Sequence, residues 1–266
     1  MSFAFTRSKT SNASAFTVLE LLAVIAIMLM MTAMVFPSVS RIKSAGDVTK
    51  TAYDIVGILD QARAYAMANN TYVFVGFAEV DASISSSVTP QVTTGTIPYG
   101  RIAVAVVASK DGTRGYDVTN ANLPNPAWSN YNNGANLVPI GKLQYFDNIH
   151  LAPLFSTLPN SGGLSRPTIS SSNYMIGHAN CQSVTPFDWP LGKALNSGQY
   201  SFVKVINFDP DGVARIQYST RQDTIVQYME IGLIPTRGNI LSATTPPNVA
   251  AIQIDGMTGA TRIFRP

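Results

Sequence analysis

The segment from Phe16 to Phe36 reads FTVLELLAVIAIMLMMTAMVF, and only Thr17, Glu20 and Thr32 interrupt its apolar run. At about 1.5 Å per residue, a helix of this length matches the roughly 30 Å hydrocarbon layer of a bilayer. A buried helix of a globular core is usually shorter and more amphipathic than this. We therefore expect a membrane-spanning helix over residues 16–37.

The charges on either side of this run predict its orientation. Arg7 and Lys9 precede it, and the first fifteen residues contain no acid, so the positive-inside rule places the N-terminus in the cytoplasm. Arg41 and Lys43 on the far side act against this orientation. The alternative is a secretory signal peptide, but the run is longer than a usual apolar signal region, and no small-x-small cleavage site follows near Phe36.

Glu20 is unusual because it places a carboxylate inside the apolar run. An ionised carboxylate in hydrocarbon costs about 2.5 to 3.5 kcal/mol on insertion scales, so its presence there indicates a partner or a function. The alternative interpretation is a carboxylate close enough to the membrane interface to reach water. The residue is thus a candidate for a role in assembly.

The stretch AFTVLELL, Ala15–Leu22, with Pro37 after the apolar run, resembles the class III signal of type IV prepilins and type II secretion pseudopilins. The resemblance implies that prepilin peptidase cuts between Ala15 and Phe16 and that the new N-terminus at Phe16 is methylated. It also implies that Glu20 is the assembly carboxylate and that Pro37 bends the helix. Ala15 departs from the glycine that is usual in this family.

The resemblance also implies a location and a set of partners. The chain would be a single-pass protein of the bacterial inner membrane with a periplasmic head, and then part of a pilus or pseudopilus fibre. Its partners would be prepilin peptidase, other pilins or pseudopilins through helix packing, the inner-membrane assembly platform with its motor ATPase, and membrane lipid. No cofactor is implied. We expect a structural subunit and no enzyme, the alternative class being an enzyme tethered by an uncleaved anchor.

Beyond the span, residues 38–70 show the spacing of an amphipathic helix that ends at Asn69-Asn70. We expect them to continue the first helix, giving a rod of about 80 Å with an apolar face turned to a globular domain. The residues of that face are Ile42, Ala45, Val48, Ala52, Ile55, Leu59, Ala62 and Ala66.

The rest of the chain, residues 71–266, is rich in β-branched and aromatic segments and predicts a β-rich head. The turn sequence Asp209-Pro210-Asp211-Gly212 predicts a hairpin over Phe202–Tyr218. The predicted strands are Thr71–Phe77, Arg101–Ala108, Lys142–Leu151, Tyr200–Phe208, Ala214–Tyr218, Thr224–Ile231, Ala251–Asp255 and Thr261–Phe264, the last two forming a second hairpin.

Together these segments predict an α+β fold. Residues 1–15 would be a cytoplasmic leader peptide, followed by a long N-terminal transmembrane-plus-amphipathic helix that packs on a sandwich-like globular head. Three short motifs beyond the span look like those of H-type pseudopilins and FimT-like minor pilins, which share this lollipop architecture. They are the helix end Leu59–Ala66, the turn Phe208–Gly212 and the terminal Gly259–Arg262. The long loops 81–98 and 110–199 exceed that family pattern, and we expect partner specificity there.

The C-terminus raises a second function, because Arg262 and Arg265 stand close to the chain end. In FimT-like minor pilins a Gly-Arg-x-Arg tail contacts DNA. The alternative function is therefore that of a DNA-binding minor pilin for DNA uptake. The segment Gly259–Arg265 departs from that spacing, and two arginines neutralise too few phosphates for tight binding. We therefore do not expect nucleic acid as a partner.

Composition and scattered polar residues favour neither a metal site nor an enzyme. The net charge is +3 with 12% charged residues, and the single cysteine excludes an intramolecular disulfide or a cysteine-built zinc site. His178 and Cys181 with nearby Asp188 lack a catalytic motif, so we expect ordinary loop residues there. Calcium binding is the alternative for three acids that turn chemistry also explains, and we expect no metal. They are Asp209, Asp211 and Asp255.

Overall fold

A computed structural model describes residues 17–82, 100–112, 137–154, 166–181, 187–191, 200–218, 221–238, 240–241 and 246–265. The chain divides into two compact units, Met1–Lys43 and Ser44–Pro266.

Helix α1 extends over Val18–Asn69. Asn70 ends it by adopting the left-handed conformation at φ 49°, and the Thr71 amide donates to the Ala66 carbonyl at 3.1 Å. The predicted helix end at Asn69-Asn70 is thus confirmed. A short 3-10 helix forms at Ser172–Tyr174.

Thirteen strands occur among the described residues. They are β1 (Val73–Asp81), β2 (Gly100–Ser109), β3 (Leu137–Pro139), β4 (Gln144–Asp147), β5 (Ile149–Leu151), β6 (Phe187–Trp189), β7 (Tyr200–Phe202), β8 (Lys204–Phe208), β9 (Ala214–Tyr218), β10 (Arg221–Thr224), β11 (Tyr228–Pro235), β12 (Ala250–Asp255) and β13 (Thr261–Phe264).

These strands form three antiparallel sheets. Sheet A has seven strands in the order β10-β9-β8-β1-β2-β3, with β4 also paired to β2. Sheet B has four strands in the order β13-β12-β11-β5, and sheet C pairs β6 with β7. Antiparallel pairing between sequence neighbours confirms the two predicted hairpins at β8-β9 and β12-β13.

Several predicted strands are divided differently in the structure. Predicted strand Tyr200–Phe208 is two strands, because β7 pairs in sheet C and β8 in sheet A. Predicted strand Lys142–Leu151 breaks at Asn148, which adopts φ 62° between β4 and β5. The expected loop 110–199 contains strands β3 to β6, so it is not one long loop.

The main core lies where the C-terminal part of α1 meets the inward faces of sheets A and B. The predicted apolar face is confirmed from Val48 to Ala66, where its members are fully buried. The side chains of Ile42 and Ala45, its first two predicted members, lie outside the described residues. They pack with β-strand residues such as Phe77 and Ile206 of sheet A and Ile252 of sheet B. A second core covers the other face of sheet A, where Phe187 and Phe202 of sheet C contribute.

The predicted fold class is wrong. No helix among the residues described above is long and apolar enough to cross a membrane, so the transmembrane-plus-amphipathic helix on a sandwich-like head does not describe this chain. Antiparallel sheet dominates instead, and it is organised as three sheets. The prediction was based on the apolar composition of residues 16–37, and apolar composition alone does not establish that a helix lies in lipid.

Candidate functional site

The N-terminus of α1 is closed by a reciprocal pair of hydrogen bonds between Thr17 and Glu20. The Thr17 amide and hydroxyl each donate to Oε2 of Glu20 at 3.0 Å, and the Glu20 amide donates to the Thr17 hydroxyl at 3.2 Å. This is a capping box, which satisfies amides that the first helical turn leaves without partners. Sequence reasoning missed this role, although Thr-x-x-Glu before an apolar run is its known signal.

The helical residues that follow expose an apolar surface, which we call the apolar arm, residues 18–31. Val18 and Leu19 are 79% exposed, and even the least exposed large side chain, Val24, is 45% exposed. The other exposed members are Leu21, Leu22, Ile25, Ile27, Met28, Leu29, Met30 and Met31. A contiguous apolar surface of this kind marks an interaction site, because water contact with it is unfavourable.

Some of the predicted residues of the N-terminal site lie among the described residues, and others do not. Ala15 and Phe16, the two residues of the predicted cleavage, lie outside the described residues. Pro37 lies inside α1, and the helix continues on both sides of it. Glu20 lies in the first turn of α1 and is exposed.

At the C-terminus, strand β13 lies along α1. The two candidate DNA contacts, Arg262 and Arg265, have different surroundings there. Nη2 of Arg265 donates to the Thr49 hydroxyl of the helix at 2.8 Å. The hydroxyl of Thr261 donates to Oδ1 of Asp60 at 3.4 Å. Arg262 is exposed. Arg265 therefore contributes to packing of the terminal strand, an arrangement that does not resemble a free basic tail.

Two of the acids considered for calcium, Asp209 and Asp255, accept hydrogen bonds from the backbone of turns. Oδ1 of Asp209 accepts from the amides of Asp211 at 3.1 Å and Val213 at 2.9 Å, and its Oδ2 accepts from Arg215 at 3.2 Å. Oδ1 of Asp255 accepts from the amides of residues 257 and 258. Within the described ranges, no group of three or more His, Cys, Asp or Glu side chains could hold a metal ion. Backbone amides in the two turns thus bind Oδ1 of Asp209 and Oδ1 of Asp255.

Of the residues considered for nucleophilic chemistry, the structure describes the side chains of Cys181 and His178. Cys181 is fully buried, and burial raises the pKa of its thiol to about 12, although Lys204 acts in the opposite direction. A thiol with such a pKa holds little thiolate near neutral pH, and the thiolate is the nucleophile. Nδ1 of His178 accepts from the Asn180 amide at 3.1 Å within the same turn. The side chain of Asp188 lies outside the described residues.

Two buried polar groups join distant segments and could not be found from sequence spacing. Oε1 of Glu79 in sheet A accepts from the Leu151 amide of sheet B at 2.7 Å and contacts Nδ1 of His150. Burial lowers the pKa of nearby Lys204, while Glu79 raises it. In the second group, buried Glu230 binds Arg166 and Gln253. Both groups connect elements more than twenty residues apart, so no local pattern marks them.

Comparison with protein families, with curated proteins and with solved structures finds no match to this chain. The resemblance to pilins is therefore one of the sequence motifs alone. The feature of the structure from which we argue a function is the apolar arm with its capped N-terminus.

Proposed function

We propose that this protein is a structural, non-enzymatic minor pilin or pseudopilin, a subunit that assembles into a type IV pilus or type II secretion pseudopilus fibre. Prepilin peptidase would cut it between Ala15 and Phe16 and methylate Phe16. An assembly platform and its motor ATPase would then add it to an extracytoplasmic fibre together with other pilins.

The observation that carries this proposal is the exposed apolar arm, residues 18–31. Other subunits of the same helical type would cover its side chains. Full burial of one Val, Leu, Ile or Met side chain contributes about 1.5 to 3 kcal/mol, so several such contacts per subunit stabilise a fibre. The capping box at Thr17 and Glu20 supports the same proposal, because it holds the start of the arm helical.

Glu20 has two separable roles in this proposal. Its carboxylate caps the helix within one subunit, and it is expected to pair with the free amine of Phe16 on a neighbouring subunit. Among packed apolar helices the low dielectric constant strengthens that attraction, provided that both charges are paired. The pairing would define the axial register of one subunit against the next.

Glu20→Gln and Glu20→Ala distinguish the two roles. Glutamine can still accept the hydrogen bonds of a capping box but carries no charge. Alanine can neither accept these hydrogen bonds nor form a charge pair. The full chain, tagged in its head, is expressed with prepilin peptidase and a complete pilus or pseudopilus machine, and its fraction in sheared fibres is measured. Because neither variant can form the charge pair with Phe16, we expect both to be excluded from fibres. Prepilin peptidase should still process both variants.

Asp54→Asn is the matched control, since it removes an exposed carboxylate from the same helix and should leave incorporation unchanged. If Glu20→Gln entered fibres normally and Glu20→Ala did not, Glu20 would act only as a helix cap and not as a charge partner. Failure of the unaltered chain to enter fibres of either machine would contradict the proposed function itself.

A further inference from the structure

Two tyrosine hydroxyl groups meet where sheet A approaches sheet C. Tyr145 lies on β4 and Tyr200 on β7, and the Tyr145 hydroxyl donates to the Tyr200 hydroxyl across 2.9 Å. The ring centroids are 5.8 Å apart with the ring planes inclined by 55°. The ring carbons adjacent to each hydroxyl-bearing carbon, the ortho carbons, are therefore close to the same hydrogen bond.

The two rings differ in their contact with solvent. Tyr145 is 40% exposed, whereas Tyr200 is 3% exposed. Burial raises the pKa of Tyr200, and its hydrogen bond with Tyr145 raises it further. Tyr200 is therefore a neutral phenol over the physiological pH range. A soluble oxidant reaches only Tyr145, and the hydrogen bond connects Tyr145 with its buried partner.

We propose that Tyr145 and Tyr200 form an oxidative cross-linking site, at which a one-electron oxidant of the haem peroxidase class, supplied with hydrogen peroxide, joins the two rings as dityrosine. This inference stands independently of the proposed function, because it depends only on the geometry of β4 and β7.

Two one-electron oxidations form the dityrosine bond. The peroxidase removes one electron and one proton from Tyr145, giving a phenoxyl radical that can take a hydrogen atom from Tyr200 through the hydrogen bond. A second oxidation of Tyr145 leaves a radical on each ring, and the two ortho carbons combine. Each ring then shifts its ortho hydrogen to its oxygen and becomes aromatic again. One peroxide is reduced to two waters, and the protein loses two hydrogen atoms.

The dityrosine bond would connect strands β4 and β7, which no disulfide can link. The chain has one cysteine, so an intramolecular disulfide is excluded. Strand β4 joins sheet A by pairing with β2, and β7 pairs with β6 in sheet C. A dityrosine bond between β4 and β7 would join the two sheets covalently, as a disulfide does in extracytoplasmic proteins.

The test uses the full-length protein, diluted to a monomeric state and treated with a haem peroxidase and hydrogen peroxide. We expect a monomer lighter by two hydrogen atoms, dityrosine fluorescence, and a cross-linked peptide that joins Tyr145 to Tyr200. The yield should not depend on protein concentration. Tyr145→Phe keeps the exposed ring but lacks the hydroxyl, and it should abolish the light monomer and its cross-linked peptide.

Tyr53→Phe is the matched control, since Tyr53 is 65% exposed on α1 and is a good site for cross-links between molecules. This variant should retain the bond between Tyr145 and Tyr200 and lose only products between molecules. The proposal is overturned if the treated parent protein contains no peptide joining Tyr145 to Tyr200. It is also overturned if Tyr145→Phe gives the same light monomer.

Discussion

Arg63 of α1 donates its Nε hydrogen to the carbonyl oxygen of Gly212, 3.3 Å away, so the helix is fastened to the turn between β8 and β9. Gly259, in the turn between β12 and β13, lies against the same Gly212 carbonyl and Arg63 side chain. A Cβ atom on Gly259 would lie 2.3 Å from the Gly212 oxygen and 2.9 Å from Cδ of Arg63. Two turns from different sheets thus converge on one helical side chain.

Gly259→Ala should destabilise the protein. Gly259 has a φ of 67°, a left-handed conformation that costs a residue with a Cβ about 1 to 2 kcal/mol, and the backbone oxygen of Gly212 cannot move aside as a side chain can. We expect a loss of at least that size in urea unfolding of the full chain.

Gly57→Ala provides the comparison for that experiment. A Cβ at Gly57 would meet nothing within 4 Å on the exposed face of α1, so alanine should stabilise the helix by about 0.5 to 1 kcal/mol. Equal unfolding midpoints for the two variants would show that the convergence of the turns does not constrain Gly259.

Glu230→Ala should be much more destabilising than loss of a surface ion pair. Glu230 is fully buried, and its Oε2 accepts from Arg166 at 2.9 Å and from Gln253 at 3.0 Å. Its removal leaves the guanidinium of Arg166 buried without its carboxylate, which costs about 3 to 5 kcal/mol. Chemical unfolding measures this difference.

Asp147→Ala is the surface control for Glu230→Ala. Asp147 pairs with Arg101 at 2.5 Å, but its side chain is 59% exposed, and such pairs contribute about 0 to 1 kcal/mol. If both substitutions lowered stability by the same amount, Glu230 would not hold the buried position described here.

The thiol of Cys181 should make stability decrease at alkaline pH. Its pKa rises from 9.0 to about 12 on burial, so the folded state keeps the proton that the unfolded state releases. This contribution is complete below pH 9.0 and is lost as pH rises toward about 12. Cys181→Ala should show a smaller loss of stability over that interval, and parallel pH profiles would contradict a raised thiol pKa.

The arginines at the C-terminus should affect stability unequally. Arg265→Ala removes a hydrogen bond to Thr49 and should cost about 0.5 to 1.5 kcal/mol, whereas exposed Arg262→Ala should stay within about 0.5 kcal/mol of the parent. A gel shift with DNA at low salt should detect no complex. A complex that the two substitutions together remove would favour the DNA-uptake alternative.

Local patterns predicted the local structure of this chain well. The spacing of apolar residues from Val48 to Ala66 gave the buried face of α1, and the turn at 209–212 gave the β8-β9 hairpin. Both depend on neighbours within a few residues, where periodicity and turn chemistry act directly. The break at Asn148 was missed, because a left-handed asparagine leaves little trace in a run of β-forming residues.

Long-range structure could not be predicted in the same way. Nothing near Glu79 indicates that its carboxylate reaches the amide of Leu151, and nothing near Arg63 indicates the two turns that meet it. At the candidate site, the apolar character of residues 18–31 and the special position of Glu20 were evident from the sequence. The capping bond between Thr17 and Glu20 is local, and the Thr-x-x-Glu spacing could have predicted it.

N-terminal mass analysis of the full chain after co-expression with a prepilin peptidase shows whether the chain is processed as a pilin. We expect a mature protein that begins at N-methylated Phe16, with Glu20 as its fifth residue. A protein that keeps residues 1–15 under these conditions, or one that begins beyond Phe36, would contradict this expectation.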